Sequence, residues 1–343
     1  MKNILIVKLS SIGDVIHALP VSYAIKETYP EARVTWVVEP PAYDIVAMDT
    51  CVDEIIVFKK KEFRSLGGFL REFGPLKEKL QARRYDAVLD LQGLFKSAAI
   101  AYLAPAPKGR KYGMWNMREG SQLVSAPVVG PHAQAHVIER YLDVARAIGC
   151  AVREVRMPLC VPERAQETAQ ALFAQAGARM ENPYVALIVG ASWPTKCWPA
   201  EHFAALADWL YEQGRIPVLV GSGAVEAQTA ARIERAAEIP PVNLVGRMSL
   251  QVLAFVFQRA ACVVGGDTGP THLAAGLGAP TVMLMGPTYP QRTGLYGQME
   301  NVLVADHPCR ECMKRACPKG LDCLAAIAPE QVERKLGKLL RLA

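Results

Sequence analysis

Short apolar runs of strand length alternate with longer amphipathic stretches along most of this chain. Residues 3–8 (NILIVK), 34–39 (VTWVVE), 54–58 (EIIVF) and 86–91 (DAVLDL) read as strands buried on both faces. Residues 14–28 are predicted as the helix after the first of these, and a second helix is predicted near 95–103. The pattern then restarts. Strands are expected at 184–189, 216–221, 242–245, 262–265 and 281–285, with helices at 200–213, 223–238, 250–258 and 271–277. A final helix is predicted at 329–340, opened by Pro-Glu and closed by basic residues that suit the negative end of its dipole. Strands separated by helices predict an α/β protein with parallel, doubly wound sheets. Residues 151–164 carry Pro158 and Pro162 with no clear period and read as a linker. The expected organisation is therefore one Rossmann-like domain over 1–155, a second over 165–328, and a terminal helix over 329–343 packing back toward the first domain.

Length and composition narrow this picture. A chain of 343 residues suits two domains. With 51% hydrophobic and 21% charged residues, it is neither disordered nor a small disulfide-stapled scaffold. No apolar run reaches the roughly 18–20 residues of a membrane span, and Lys8 and Asp14 follow the first strand too closely for a signal peptide. A cytoplasmic location is expected. The net charge of +6 favours an acidic or phosphorylated partner but is too weak to argue for nucleic acid.

Candidate chemistry collects at predicted strand ends, the rim where such sheets bind ligands. Ser10, Ser11, Gly13 and Asp14 follow the first strand. The turn lacks the GxGxxG spacing of a dinucleotide site, and Asp14 either caps its helix or meets a ligand. His17, one turn on, reads as an oriented, half-buried histidine. Lys196 lies in ASWPTKCW between Trp193 and Trp198, where it either covers an indole or meets a phosphate. In GGDTGPTH, Asp267, Thr268, Gly269 and His272 converge where a helix begins. Free amides and the positive dipole end there suit a diphosphate. Glu226, after Gly221-Ser222-Gly223, can hold ribose hydroxyls or serve its own helix dipole.

Two further features lie outside these turns. Basic residues from Lys59 to Arg84, with Lys60, Lys61 and Arg64 at their head, interleave with Phe58, Phe63, Phe69 and Phe73. They form either a solvated face or a patch for an anionic lipid headgroup. Cys309, Cys312, Cys317 and Cys323 space as C-x2-C-x4-C-x5-C. The spacing admits a structural zinc or iron–sulfur site, plain thiols, or a disulfide.

KLSSIGDVIHALP, WVVE, LQGLFKSA, MREG, HVIER, ASWPTKCWP and GGDTGPTHLAAGLGAPTVMLMGPT together resemble glycosyltransferase family 9, the ADP-heptose:lipopolysaccharide heptosyltransferases. The likeness runs nearly the whole chain, and the first half looks most like heptosyltransferase I. It implies a GT-B fold of two facing Rossmann-like domains, an N-terminal one for the acceptor and a C-terminal one for the nucleotide sugar. It implies transfer of heptose from ADP-heptose to the Kdo of the inner core, with inversion and no cofactor in the chemical step. No Asp-x-Asp motif is placed to hold a metal. By the same resemblance Asp14 is the general base, Lys196 neutralises the departing ADP, and Asp267, Thr268, Gly269 and His272 hold the diphosphate. Glu226 meets the ribose, and Arg118 of MREG faces the acceptor carboxylates. Ser10, Ser11, Gly13, Gln92, Lys96, Lys60, Lys61 and Arg64 belong to the acceptor side. Kdo-lipid A or an inner-core lipopolysaccharide is the expected partner, met at the anionic inner face of the inner membrane. A family member with another donor or acceptor, a second heptose included, and a silent sugar-nucleotide-binding protein of the same fold remain alternatives.

Overall fold

The computed structural model describes residues 1–320 and 322–341. The chain divides into two compact units, Met1–Cys160 and Val161–Ala343, and the division falls inside the proline-bearing linker.

The first unit runs β1 (Asn3–Val7), α1 (Ile12–Thr28), β2 (Arg33–Val38), α2 (Tyr43–Ala47), β3 (Glu54–Val57), α3 (Leu66–Gln81), β4 (Ala87–Asp90), α4 (Phe95–Leu103), β5 (Lys111–Met114), β6 (Ala126–Val128) and α5 (Val137–Ala147). All six strands are parallel, in the order β3-β2-β1-β4-β5-β6. Ile4, Leu5, Ile6 and Val7 of β1 are fully buried, as a central strand covered on both faces requires. The strand order reverses direction between β1 and β4, so the crevice outside their carboxyl ends is the natural ligand position.

The second unit repeats the plan. It comprises α6 (Glu163–Gln175), β7 (Tyr184–Ile188), α7 (Ala200–Glu212), β8 (Ile216–Val220), α8 (Ala224–Ala236), β9 (Val242–Asn243), α9 (Leu250–Arg259), β10 (Cys262–Gly266), α10 (Gly269–Gly276), β11 (Thr281–Met285), α11 (Pro290–Thr293), β12 (Val302–Val304) and α12 (Pro329–Leu340). Its six parallel strands lie in the order β12-β11-β10-β7-β8-β9, so here the switch point falls between β7 and β10.

The predicted elements that had clear apolar runs are present within one or two residues at each end. Elements without such runs were not anticipated: α2, α3, β5, β6, α5, α6, α11 and β12. α3 carries glycines at 67, 68 and 74 and Pro75, residues that read as helix breakers, and buries only Gly68, Leu76 and Leu80. The closing helix α12 buries Val332 and Leu336 in the core cluster of the second unit and packs on α7, β10 and β11. That apolar pair matches a surface available beside its own sheet, and the linker boundary stands at 160/161.

One buried acid in the first unit is structural. Asp49 is nearly inaccessible, and burial pushes its carboxyl up to about 7 against hydrogen bonds from Ser22 and Cys51. Ser22 Oγ lies 2.7 Å from Leu19 O and 2.6 Å from Asp49 Oδ2. One hydroxyl proton cannot serve both acceptors, so a protonated Asp49 completes the pair. A folded-state pKa above the unfolded one gives stability that is full below about pH 4 and is lost as pH rises toward 7. Asp49→Asn keeps both hydrogen bonds without the ionisation. Its stability is expected to match wild type near pH 4 and exceed it at pH 8, by about a few kcal/mol. Parallel pH–melting curves would expose an error in this assignment.

Candidate functional site

In the first unit the β1 and β4 loops meet at the switch point. Asp90 Oδ1, at the end of β4, accepts the amides of Gln92 (3.1 Å) and Gly93 (2.9 Å) and so turns the chain. Gly93 takes φ +64, a left-handed value that favours glycine, and a Cβ there would crowd Met117. Turned this way, Gln92 Oε1 accepts the amides of Leu9 and Ser10, each at 3.1 Å. Lys96 Nζ, from the first turn of α4, donates to Ser10 Oγ (3.2 Å) and pairs with Glu39 (2.5 Å), which follows β2. Three strand ends are thus tied around Ser10. Arg118 is brought to the same rim through its amide, which donates to Gly93 O (2.9 Å).

Asp14 sits in the first turn of α1, half-buried. Its Oδ2 accepts the Ser11 amide (3.2 Å) and the Ser11 hydroxyl (2.9 Å). Gly13 occupies the same turn. The carboxylate is therefore both a helix-start residue and a rim residue. Beneath it lies Lys8, a buried ammonium 5.0 Å from the centroid of the Tyr141 ring. Burial alone would lower the Lys8 pKa, but Tyr141, Asp14 and Asp90 outweigh it and hold the group raised, hence charged. His17 is buried with its ring edge-on to His136, centroids 5.6 Å apart.

Lys60, Lys61 and Arg64 follow β3, two strands out from β1 in the sheet. All three are exposed, and no acidic partner is found for them among the described residues, whereas Lys59 pairs with Glu72 and Arg71 with Glu62. None of the three joins the hydrogen-bond network around Ser10. Four phenylalanines form a ladder beside them, with centroid spacings of 4.9 Å (Phe58–Phe63), 5.9 Å (Phe63–Phe69) and 4.9 Å (Phe69–Phe73). It leads to Leu66 and Leu70, which are 76% and 70% exposed on α3. A shallow cavity of about 330 Å³ opens between the ladder and Lys59, Arg71 and Lys79.

In the second unit the loops after β7 and β10 converge in the same way. Lys196 Nζ lies 2.8 Å from Asp267 Oδ2, with both side chains largely buried. Asp267 also accepts from Thr288 (2.7 Å) and Thr293 (3.3 Å), and its Oδ1 lies 2.9 Å from His272 Nε2. Burial would raise this carboxyl, but His272 and Lys196 outweigh it and hold it well below the ordinary carboxylate range. Gly266, the last residue of β10, permits the approach: a Cβ there would lie 2.3 Å from Lys196 O. A fixed carboxylate repels phosphate, so Asp267 orients Lys196 and His272. The first turn of α10, which begins at Gly269 after Thr268, presents the positive end of a helix dipole beside this cluster. Glu226 lies over the β7 and β8 ends, its Cγ 2.2 Å from where a Gly190 Cβ would stand. Gly190, two residues past β7, and Gly221, directly after β8, leave the carboxylate room.

The cysteine segment behaves otherwise than the metal reading anticipates. Cys309, Cys312 and Cys323 are free thiols, with Cys312 exposed and Cys323 buried. Cys309 Sγ is 3.2 Å from His307 Nδ1. Burial, with the neighbouring Asp322, Cys312 and Cys309, pushes the Cys323 thiol up. Yet no three His, Cys, Asp or Glu side chains among the described residues converge to hold a metal ion. Backbone bonds fix this segment on the loop after β11: the amides of Glu311 and Met313 donate to Gly286 O (2.7 Å) and Pro287 O (2.8 Å).

Sequence reasoning singled out neither Glu39, Thr288, Thr293 nor Lys8. Glu39 ends a strand that was predicted and Thr288 follows another, so rim position was the available signal. Among the described residues no helix is long and apolar enough to cross a membrane.

The family profile described as glycosyltransferase family 9 (heptosyltransferase) matches residues 74–321. Lipopolysaccharide heptosyltransferase 1 of Pseudomonas aeruginosa strain PAO1 is 32% identical, over 99% of this chain and 92% of that protein. The Escherichia coli heptosyltransferase WaaC, solved with ADP, superposes with a TM-score of 0.77 at 28% identity, covering 98% of this chain and 99% of that one. The family 9 glycosyl transferase of Veillonella parvula DSM 2008 shares the fold at a TM-score of 0.85 and 24% identity, covering 100% and 98%. With two doubly wound sheets of the GT-B class and a match through most of its length, the chain belongs to glycosyltransferase family 9, as a glycosyltransferase most like heptosyltransferase 1.

Proposed function

We propose that this enzyme transfers heptose from ADP-heptose to the Kdo of the lipopolysaccharide inner core, with inversion and with Asp14 as general base. The observation that carries the reading is the anion site of the second unit, where Lys196 and the start of α10 are braced by one buried carboxylate. The names of its relatives support the sugar and the acceptor class. Glu226 takes the ribose hydroxyls, and Thr268, Gly269 and His272 surround the diphosphate. On the acceptor side, Ser10, Gln92 and Lys96 shape the rim and Arg118 faces the Kdo carboxylate, where a guanidinium grips bidentately.

A sugar hydroxyl is a weak nucleophile. Asp14 takes its proton as the oxygen attacks the anomeric carbon from the face opposite ADP, and the bond to the phosphate oxygen breaks. Negative charge grows on ADP and is met by Lys196 and the α10 amides. Incubation with ADP-heptose and Kdo-lipid A in the presence of EDTA, read by mass spectrometry, tests the whole scheme. A gain of one heptose is expected; no gain, or a gain only after Mg²⁺ is restored, contradicts it.

Lys60, Lys61 and Arg64, with exposed Leu66 and Leu70 beside them, are read as the surface that meets the anionic inner face of the inner membrane. Each basic residue there contributes about 1 kcal/mol, within a Debye length of about 8 Å. Reversing all three to Glu should raise KM for the lipid acceptor, leave KM for ADP-heptose unchanged, and abolish salt-sensitive sedimentation with anionic vesicles. Equal, salt-insensitive sedimentation of both proteins would make the patch a solvated face.

A further inference from the structure

The cysteine-bearing segment before α12 crosses the donor site rather than lying apart from it. Its amides at Glu311 and Met313 are bonded to Gly286 and Pro287, after β11. A few residues on, Thr195 Oγ1, after β7, lies 2.9 Å from Lys314 O and 3.2 Å from Arg315 O, within donating reach of either carbonyl. In the sheet β10 lies between β11 and β7. A segment tied to both neighbours spans the carboxyl end of the strand between them, which is where Asp267 and the start of α10 stand. Arg315 rests on Trp193, its Cζ 5.5 Å from the ring centroid, and Lys196 Nζ lies 4.6 Å from the same centroid. The two cations therefore share one indole.

Charge balance gives this proximity its consequence. Lys196 is already matched by the buried Asp267 carboxylate at 2.8 Å, so the pair is neutral as a unit. A diphosphate is multiply charged, and a neutral pair meets only part of that charge. Arg315 is exposed, has no acidic partner among the described residues, and offers a planar fork suited to phosphate oxygens.

We propose that Arg315, carried across the end of β10 by the cysteine segment, is a second cation for the donor's diphosphate. The proposal rests on the donor reading above. It gives the cysteine-bearing segment a task that needs no metal: holding a strap whose far end delivers the guanidinium.

The test is calorimetry of ADP and of adenosine with wild type, Arg315→Ala, Arg315→Lys and Arg310→Ala. Arg310 lies on the same segment near Asp306 (3.5 Å) and serves as the charge control. Arg315→Ala should bind ADP about tenfold more weakly, a loss of about 1.4 kcal/mol, and bind adenosine as wild type does. Its ADP affinity should fall less steeply with salt. Arg315→Lys should keep most of the affinity, and Arg310→Ala all of it. In turnover assays KM for ADP-heptose should rise while KM for the acceptor stays. Unchanged ADP affinity in Arg315→Ala overturns the proposal, and so does an equal loss for ADP and adenosine, which would mean that Arg315 only packs on Trp193. Failure of the wild-type protein to bind ADP would overturn the donor reading itself, and this inference with it.

Discussion

Asp14→Asn is expected to lower turnover by about 10²–10⁴, the usual scale for loss of a general base, while ADP affinity stays within about twofold. The substitution separates two roles that share one side chain. Asp14 accepts the Ser11 amide and hydroxyl at the start of α1, and an asparagine oxygen can still accept them. The turn therefore survives, and with it the Gln92 and Lys96 contacts to Ser10. What asparagine cannot do is take a proton from the acceptor hydroxyl. The buried Lys8 loses one of the carboxylates that keep it charged, so a small fall in melting temperature should accompany the kinetic loss. A large fall in turnover with an intact fold supports the base. Near-normal turnover would reduce Asp14 to a helix-start residue.

Lys196→Ala is expected to weaken ADP binding and to cut turnover by about 10²–10³, as removal of one fixed group from a developing anion does. The effect should exceed that of an ordinary surface lysine because the side chain is only 14% exposed and its partner Asp267 6%. Without Lys196, Asp267 keeps His272, Thr288 and Thr293, so the turn before α10 should persist. The depressed Asp267 pKa carries a second readout. A lowered pKa gives stability that is present above the unfolded value of about 4 and is lost as pH falls through the folded one. Removing Lys196 takes away part of that depression, so the variant should lose stability at neutral pH and show a shallower loss on acidification. If only melting changes, and ADP affinity and turnover do not, Lys196 serves Asp267 and not the donor.

The chain's apolar rhythm determined the α/β class, the repetition of the plan, and the position of nearly every central strand. β1, β4, β7 and β10 are fully apolar over most of their length because both faces are covered, and that pattern survives in one dimension. The edge strands β6 and β12 are three residues each, too short to show a period, and the glycines and Pro75 of α3 read as breakers, so the sequence alone missed them. Candidate residues at strand ends were legible for the same reason: a strand followed by glycine, hydroxyls and a carboxylate marks a rim. The pairings at the rim were not legible. Lys196 and Asp267 are 71 positions apart, and Lys96 and Glu39 are 57 apart. Only the sheet order, which sets β10 beside β7 and β4 beside β1, brings such side chains within hydrogen-bond reach. The cysteines teach the converse. Their spacing alone admitted a metal, whereas the structure shows what spacing could not: the backbone bonds of Glu311 and Met313 tie their segment to the loop after β11. Local pattern fixes which elements form because burial acts residue by residue. Which charges meet depends on the crossover connections, and those are set by how whole sheets pack.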